Sequence, residues 1–279
     1  MTHSFQKPSK SLCHICVTCG TQFAPQPQPP AACPVCEDER QYVAWDGQQW
    51  TTLEKLQARH RNRIKQEEVR LFGIGTEPRF AIGQRALVVQ TPAGNLMWDC
   101  ISLVDDQSVR QIWELGGLHA IAISHPHFYA SMVEWSHAFD QIPIYINTAD
   151  RQWVMRSDRN IVFWEGDSLT CFDDLTLIHT PGHFNGSQVL HWPAGADQKG
   201  VLLVGDQPQI SMNRRTVSFM YSYPNLIPLR PGAIQDIVET LLNYEFDRMY
   251  GGWFGRVIAS DARSVLMRSA DRYLDAVKV

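Results

Sequence analysis

From residue 71 onward, short apolar runs alternate with amphipathic stretches whose apolar residues recur at helical spacing. Phe80 to Thr91 and Leu96 to Ile101 read as two strands around a turn at Pro92-Ala-Gly-Asn95, because Pro, Gly and Asn mark chain reversals. Val104 to Leu115 and Ser131 to Phe139 read as helices. His119 to Ser124 lies between them as a short apolar strand, and Ile142 to Ile146 follows as another. Further strands are expected at Asn160–Trp164, Leu175–His179, Gln188–Trp192 and Val201–Gly205. Helices at Gly232–Tyr244 and Ala259–Val277, with the strand Asp247–Tyr250 between them, complete the chain. Strands in runs with helices interspersed predict an α+β arrangement, two sheets held between helix layers.

The pattern before residue 71 is different. Tyr42, Val43, Trp45 and Trp50 suggest a hairpin over Gln41–Thr52 turning at Asp46-Gly47. Glu54 to Arg70 carries Lys55, Arg59, Arg61, Arg63, Lys65 and Arg70 against Glu54, Glu67 and Glu68, which reads as a solvated helical linker. The expected division is therefore 1–52, 53–70 and 71–279: accessory module, linker and main domain.

Composition narrows the picture. With 279 residues, 44% hydrophobic and 19% charged, the chain can build a sizeable core, so wholesale disorder is excluded. A net charge of −4 argues against a general nucleic-acid-binding surface, and the basic linker lacks interleaved aromatics. There is no long apolar run, and Met1–Lys10 lacks the apolar core of a secretory signal. A cytoplasmic protein without membrane or nucleic-acid partners is expected.

Five of the seven cysteines lie between Cys13 and Cys36. Cys16-x-x-Cys19 and Cys33-x-x-Cys36 are two tight turns, each able to aim two thiolates at one cation, and together they complete a tetrahedron. Gly20 suits a positive-φ position and Pro34 stiffens the second turn. The expected ligands of a structural zinc are Cys16, Cys19, Cys33 and Cys36, with Cys13 a less suitable substitute for Cys16. Four thiolates leave no open coordination position, so this zinc ribbon is read as structural, with a protein partner through it left open.

Three later segments each end a strand on a potential ligand: His125-Pro-His127, Thr180-Pro-Gly-His183 and Gly205-Asp206. Neutral imidazoles with a carboxylate suit zinc or iron. With the hairpin ending at Trp98-Asp99, and Gly186-Ser187 after His183, this series resembles the metallo-β-lactamase-fold hydrolase superfamily. The resemblance covers roughly residue 71 to the end. It implies an αβ/βα four-layer sandwich, with His125, His127 and His183 as a three-histidine site and Asp206 as the bridging carboxylate. The chain departs from the family's His-x-His-x-Asp-His pattern, because Tyr129 and Ala130 replace the Asp and last His. No histidine occurs in Gly251-Gly-Trp253-Phe-Gly255, where the family places another. Three ligands of a second metal are thus absent, and one active-site ion, Zn2+ or Fe2+, is expected rather than two.

The leading functional expectation is hydrolysis of an ester, lactone, thioester or amide carbonyl in a small-molecule substrate. The attacking hydroxide would come from a zinc-bound water acidified to about pKa 7. Asp206 and Tyr129 are the expected catalytic side chains. Tyr129 could hydrogen-bond the water, fill the vacated pocket or ligate directly. Tyr221, Tyr223 and Trp253 are candidate substrate walls, and Arg214, Arg215 and Arg256 are candidate anion contacts or plain surface residues. Alternatives are a mononuclear iron oxidative enzyme using His125, His183 and Asp206, or a non-catalytic scaffold with a degenerate site.

Overall fold

The computed structural model describes residues 12–277, so the expectation drawn from Met1–Lys10 lies outside the described residues. In the front module β1 (His14–Cys16) pairs antiparallel with β2 (Trp50–Thr52). The hairpin expected over Gln41–Thr52 does not form. Tyr42, Val43 and Trp45 are exposed, and Trp50 to Thr52 instead pair with residues far back in the chain.

The 53–70 stretch is not a helical linker either. A single helical turn, Leu53–Gln57, leads into β3 (Arg61–Glu68), the edge strand of a seven-stranded sheet. Its charges have period two: Arg61, Arg63 and Lys65 face water, while Asn62 is buried and Ile64 half-buried. Charged side chains on an edge strand discourage pairing with another chain, so the basic residues suit this position.

That first sheet continues through β4 (Leu71–Glu77), β5 (Arg85–Thr91), β6 (Gly94–Trp98), β7 (Ala120–Ala122), β8 (Ile144–Asn147) and β9 (Ile161–Trp164) in spatial as well as chain order. Pairing is antiparallel up to β6 and parallel from β6 to β9. The second sheet comprises β10 (Ser168–Thr170), β11 (Thr176–His179), β12 (Gln188–Trp192), β13 (Val201–Leu203), Arg248–Tyr250 and Val257–Ile258.

Strand alternation divides the core into three layers. Leu87, Val89, Leu96 and Trp98 of the first sheet meet Leu177, Leu190, Val201 and Leu203 of the second. The opposite side chains, Ala86, Val88 and Met97, pack on Ile112 and Trp135 of the helices Asp106–Glu114 and Met132–Ala138. On the far side Ile178, Val189, Leu202 and Met249 pack on Ile234, Ile237, Val265 and Leu266 of the helices Pro231–Leu242 and Ala262–Val277. The result is the expected αβ/βα sandwich preceded by a cysteine module. Among the described residues no helix is long and apolar enough to cross a membrane.

Candidate metal centres

Cys16 and Cys19 flank a tight turn closed by Gly20, whose N–H donates to the Cys16 carbonyl at 2.9 Å. Gly20 has φ +84°, and a Cβ there would lie 2.5 Å from Ser102 Oγ, so glycine is required on both counts. The four Sγ atoms lie within 4.8 Å of one another. The Cys16–Cys36 and Cys19–Cys33 separations are 3.5 and 3.7 Å. Tetrahedral zinc with bonds of about 2.3 Å requires sulfur spacings of roughly 3.8 Å, whereas a disulfide requires about 2.05 Å. All four thiols are free and buried. Hydrogen bonds from Cys19, Cys33 and Cys36 pull the Cys16 thiol far down. Cys19 and Cys36 are pushed up, chiefly by the same hydrogen bonding with Cys16. Crowding thus favours a thiolate at Cys16 and disfavours one at Cys19 and Cys36, a charge conflict that a divalent cation would relieve. Phe23, Val35 and Trp50 seal the cluster, with Trp153 and Met155 of the main domain packed against it.

The second cluster is assembled from three strand ends. Beyond β7, His125 caps a 3-10 turn, Pro126–Phe128, that carries His127. His183 follows β11 and Asp206 follows β13. Gly205 lets that last segment approach: a Cβ there would lie 2.3 Å from Ser124 Oγ and 3.0 Å from His125 Nδ1. One donor atom from each of His125, His127, His183 and Asp206 lies within 4.8 Å of the others, all buried. Asp206 Oδ2 is 3.5 Å from His125 Nε2, 3.9 Å from His127 Nδ1 and 3.7 Å from His183 Nε2.

Surrounding groups set the orientation of each ligand. His183 Nδ1 faces the carbonyls of Tyr221 (2.9 Å) and Met220 (3.2 Å), an arrangement that puts the proton on Nδ1 and leaves Nε2 as a lone pair. His125 Nδ1 pairs with Ser124 Oγ at 2.9 Å, and Ser124 N–H donates to buried Asp99 at 2.7 Å. Gln209 Nε2 donates to Asp206 Oδ1 at 2.8 Å, which leaves Oδ2 toward the histidines. Burial pushes His125 down to about 4 and His183 well below its ordinary value, so both are neutral at pH 7. Burial pushes Asp206 up, but hydrogen bonding with His125 and His127 outweighs it and holds the carboxyl well below its usual range. Neutral imidazoles and an ionised carboxylate are the donor set a divalent cation takes.

Tyr129 does not join this cluster. The turn at Pro126–Phe128 carries it into a separate small cavity against Met132, Val133 and the cysteine module's Thr21 and Gln22. Tyr129, expected to act beside the metal, is not among the residues that line the cavity onto which the histidine cluster opens. His127, His183 and Asp206 instead open onto a cavity of about 500 Å³ whose walls include Tyr223 and Trp253. Tyr221 lies beside a neighbouring cavity and serves the cluster through its carbonyl. Arg256 lines the main cavity, while Arg214 and Arg215 do not.

Sequence reasoning missed Arg40, Gln41, Tyr42 and Arg79, which also line this cavity. Arg40 binds both oxygens of Asp38 (2.6 and 2.8 Å), donates to the His183 carbonyl at 3.2 Å and lies 3.9 Å from the centre of the Phe184 ring. Asn225 donates to the carbonyls of Glu39 (2.7 Å) and Gln41 (3.0 Å). The segment after Cys36 is thereby stitched to both sides of the cavity. No spacing in the sequence announces this.

The chain is 46% identical over 266 residues to the uncharacterized protein YmaE of Bacillus subtilis (strain 168), covering 95% of this chain and 96% of that one. The chain belongs to the YmaE family. No family model matches it. Among solved structures it is similar to the metallo-β-lactamase DIM-1, with TM-score 0.58 and 16% identity over 78% of this chain and 98% of that one. It is also similar to the metallo-β-lactamase FIM-1 from Pseudomonas aeruginosa in its mono-zinc form, with TM-score 0.53 and 12% identity over 76% of this chain and 96% of that one. At such identities the likeness is one of fold, and the fold of this YmaE-family chain is that of the metallo-β-lactamases.

Proposed function

We propose that this protein is a single-metal hydrolase acting on an acyl compound (ester, lactone, thioester or amide) at the cluster of His125, His127, His183 and Asp206. The observation that carries this reading is the convergence of those four donor atoms within 4.8 Å beside an open cavity. His125, His127 and His183 would hold the ion, zinc by preference, with Asp206 beside them. When bound, the ion supplies Lewis acidity, acidifying a water and polarising a carbonyl. Asp206 Oδ2 is the one carboxylate oxygen facing the histidines, so it is suited to orient the nucleophilic water and accept its proton. Gln209 fixes that carboxylate through Oδ1. Tyr223 hydrogen-bonds the Asp206 carbonyl at 3.0 Å, and Trp253 donates to the Ile82 carbonyl at 3.0 Å, so both walls are held in place. A similar fold has been recorded in a mono-zinc form, in FIM-1, which supports a one-ion reading.

Metal analysis of the full chain and of His125→Ala tests the reading. Two ions per chain should fall to one, and hydrolysis of activated esters should fall by at least about a hundredfold. Unchanged stoichiometry, or hydrolysis undiminished in the variant, overturns it; iron in place of zinc would move the chemistry to oxidation.

A further inference from the structure

Resting on that hydrolytic reading, we propose that the substrate carries an anionic group, a carboxylate or a phosphate, held by Arg79 and Arg256 at the cavity mouth. The charge pattern is the first argument. The other buried and half-buried arginines outside the cavity are matched by carboxylates: Arg85 by Glu67, Arg156 by Glu134, Arg248 by Glu68 and Arg263 by Glu245, whereas most exposed arginines are not. Arg40, the third arginine of the cavity, is neutralised by Asp38. Arg79 and Arg256 have no carboxylate partner among the described residues. Among the described residues the sole acid lining the cavity is Asp206, and its Oδ2 is turned to the histidines. A chain of net charge −4 has thus placed two uncompensated guanidinium groups beside its metal cluster, which focuses anions toward that mouth.

The second argument is positioning. Arg79 donates through Nη2 to the Ile82 carbonyl, the same oxygen that receives Trp253 Nε1. Arg256 donates through Nη1 to the Ile210 carbonyl at 2.8 Å. Its backbone N–H donates to the Trp253 carbonyl at 3.1 Å, and its own carbonyl accepts from Gly251 N–H at 2.9 Å. One turn therefore presents Trp253 and Arg256 together, and Trp253 and Arg79 share an anchor. Each guanidinium spends one of its five N–H donors on backbone and keeps a fork for a bidentate acceptor. Trp253, Tyr223, Pro224 and Met212 complete an apolar wall for the remainder of the substrate.

The test uses the full chain loaded with zinc, and two probes. The first is the pair of para-nitrophenyl esters succinate monoester (anionic acyl group) and pentanoate (neutral, of similar length). Loss of a charge-assisted contact costs about ten- to a hundredfold, so kcat/KM should favour the succinate monoester by about that factor. The ratio should collapse toward one in the R79A/R256A double variant and recover in part in R79K/R256K. The second probe is the rise in Tm caused by free succinate and by inorganic phosphate, measured in the wild type and in R79A/R256A. A rise with succinate alone identifies a carboxylate, a rise with phosphate alone identifies a phosphate, and either must vanish in the double variant. If neither anion raises Tm, or both raise it equally in the double variant, the anion site is overturned. If an anion stabilises the wild type through the two arginines but neither ester is hydrolysed, the hydrolytic reading falls and the anion site stands.

Discussion

Two four-donor clusters share this molecule, and they are built in opposite ways. The thiolate cluster draws its ligands from one short stretch, Cys16 to Cys36, and closes over them with Phe23, Val35 and Trp50. The histidine cluster gathers ligands from the ends of three strands in two sheets, and it opens on one side to a cavity. Local ligands folded around a cation make a closed site whose binding energy goes into structure. Ligands brought by a rigid scaffold leave a face free, where a substrate can be placed. On the proposed reading, the difference separates a site that would hold the protein together from one that would do chemistry.

The contrast can be broken most forcefully at the closed site. Cys33→Ser leaves three crowded thiols without a complete donor set. Metal there is worth on the order of 10 kcal/mol, so thermal unfolding should show early loss of the module together with one metal ion. A variant that keeps its metal and its Tm would mean that the thiols are not a metal site.

A smaller effect sharpens the open site's dependence on its scaffold. Asp150 accepts the Gly186 N–H at 2.9 Å beside the His183 loop, and its second oxygen is buried without a hydrogen-bond partner among the described residues. Burial raises its carboxyl to about 6, against the pull of that N–H and of Arg40. Between pH about 4 and about 6 the folded chain keeps a proton that the unfolded chain has released. Stability from this group is therefore lost as pH rises through that window, by roughly 3 kcal/mol in all. Asp150→Asn retains an acceptor for Gly186 and removes the titration. Its stability relative to wild type in urea melts should grow from pH 4 to pH 8, and a pH-independent difference would contradict the assignment.

The smallest expected effect is that of Ser124→Ala, which removes the hydrogen bond to His125 Nδ1 without touching a ligand. Metal affinity at the histidine cluster should weaken about ten- to a hundredfold, with the thiolate ion unaffected. Equal affinities by competition with a chelator would show that Ser124 does not orient His125.

How much of this was legible in the sequence depended on the range of the interactions. The paired Cys-x-x-Cys turns and the strand-end histidines each carry their signal within a few residues, and the structure gathers those ligands as two clusters. The strands of the sandwich were visible because both faces are buried, which leaves short continuous apolar runs. β3 was misread because its basic residues, seen without a partner strand, suit a solvated helix as well as a charged sheet edge. The expected Gln41–Thr52 hairpin failed because β2 takes its partner from the start of the module. Tyr129 was assigned by alignment with a motif, whereas its direction is set by a turn that no motif encodes. Arg40 and Arg79 gave no local signal, since only the packed fold shows that they line the cavity.

The clamp at Arg40 has a thermodynamic consequence. It ties the backbone just beyond Cys36 to the carbonyl of His183, a ligand of the other cluster. Any coupling of the two centres through this contact would be reciprocal: the factor by which metal at the thiols changed affinity at the histidines would equal the factor by which metal at the histidines changed affinity at the thiols.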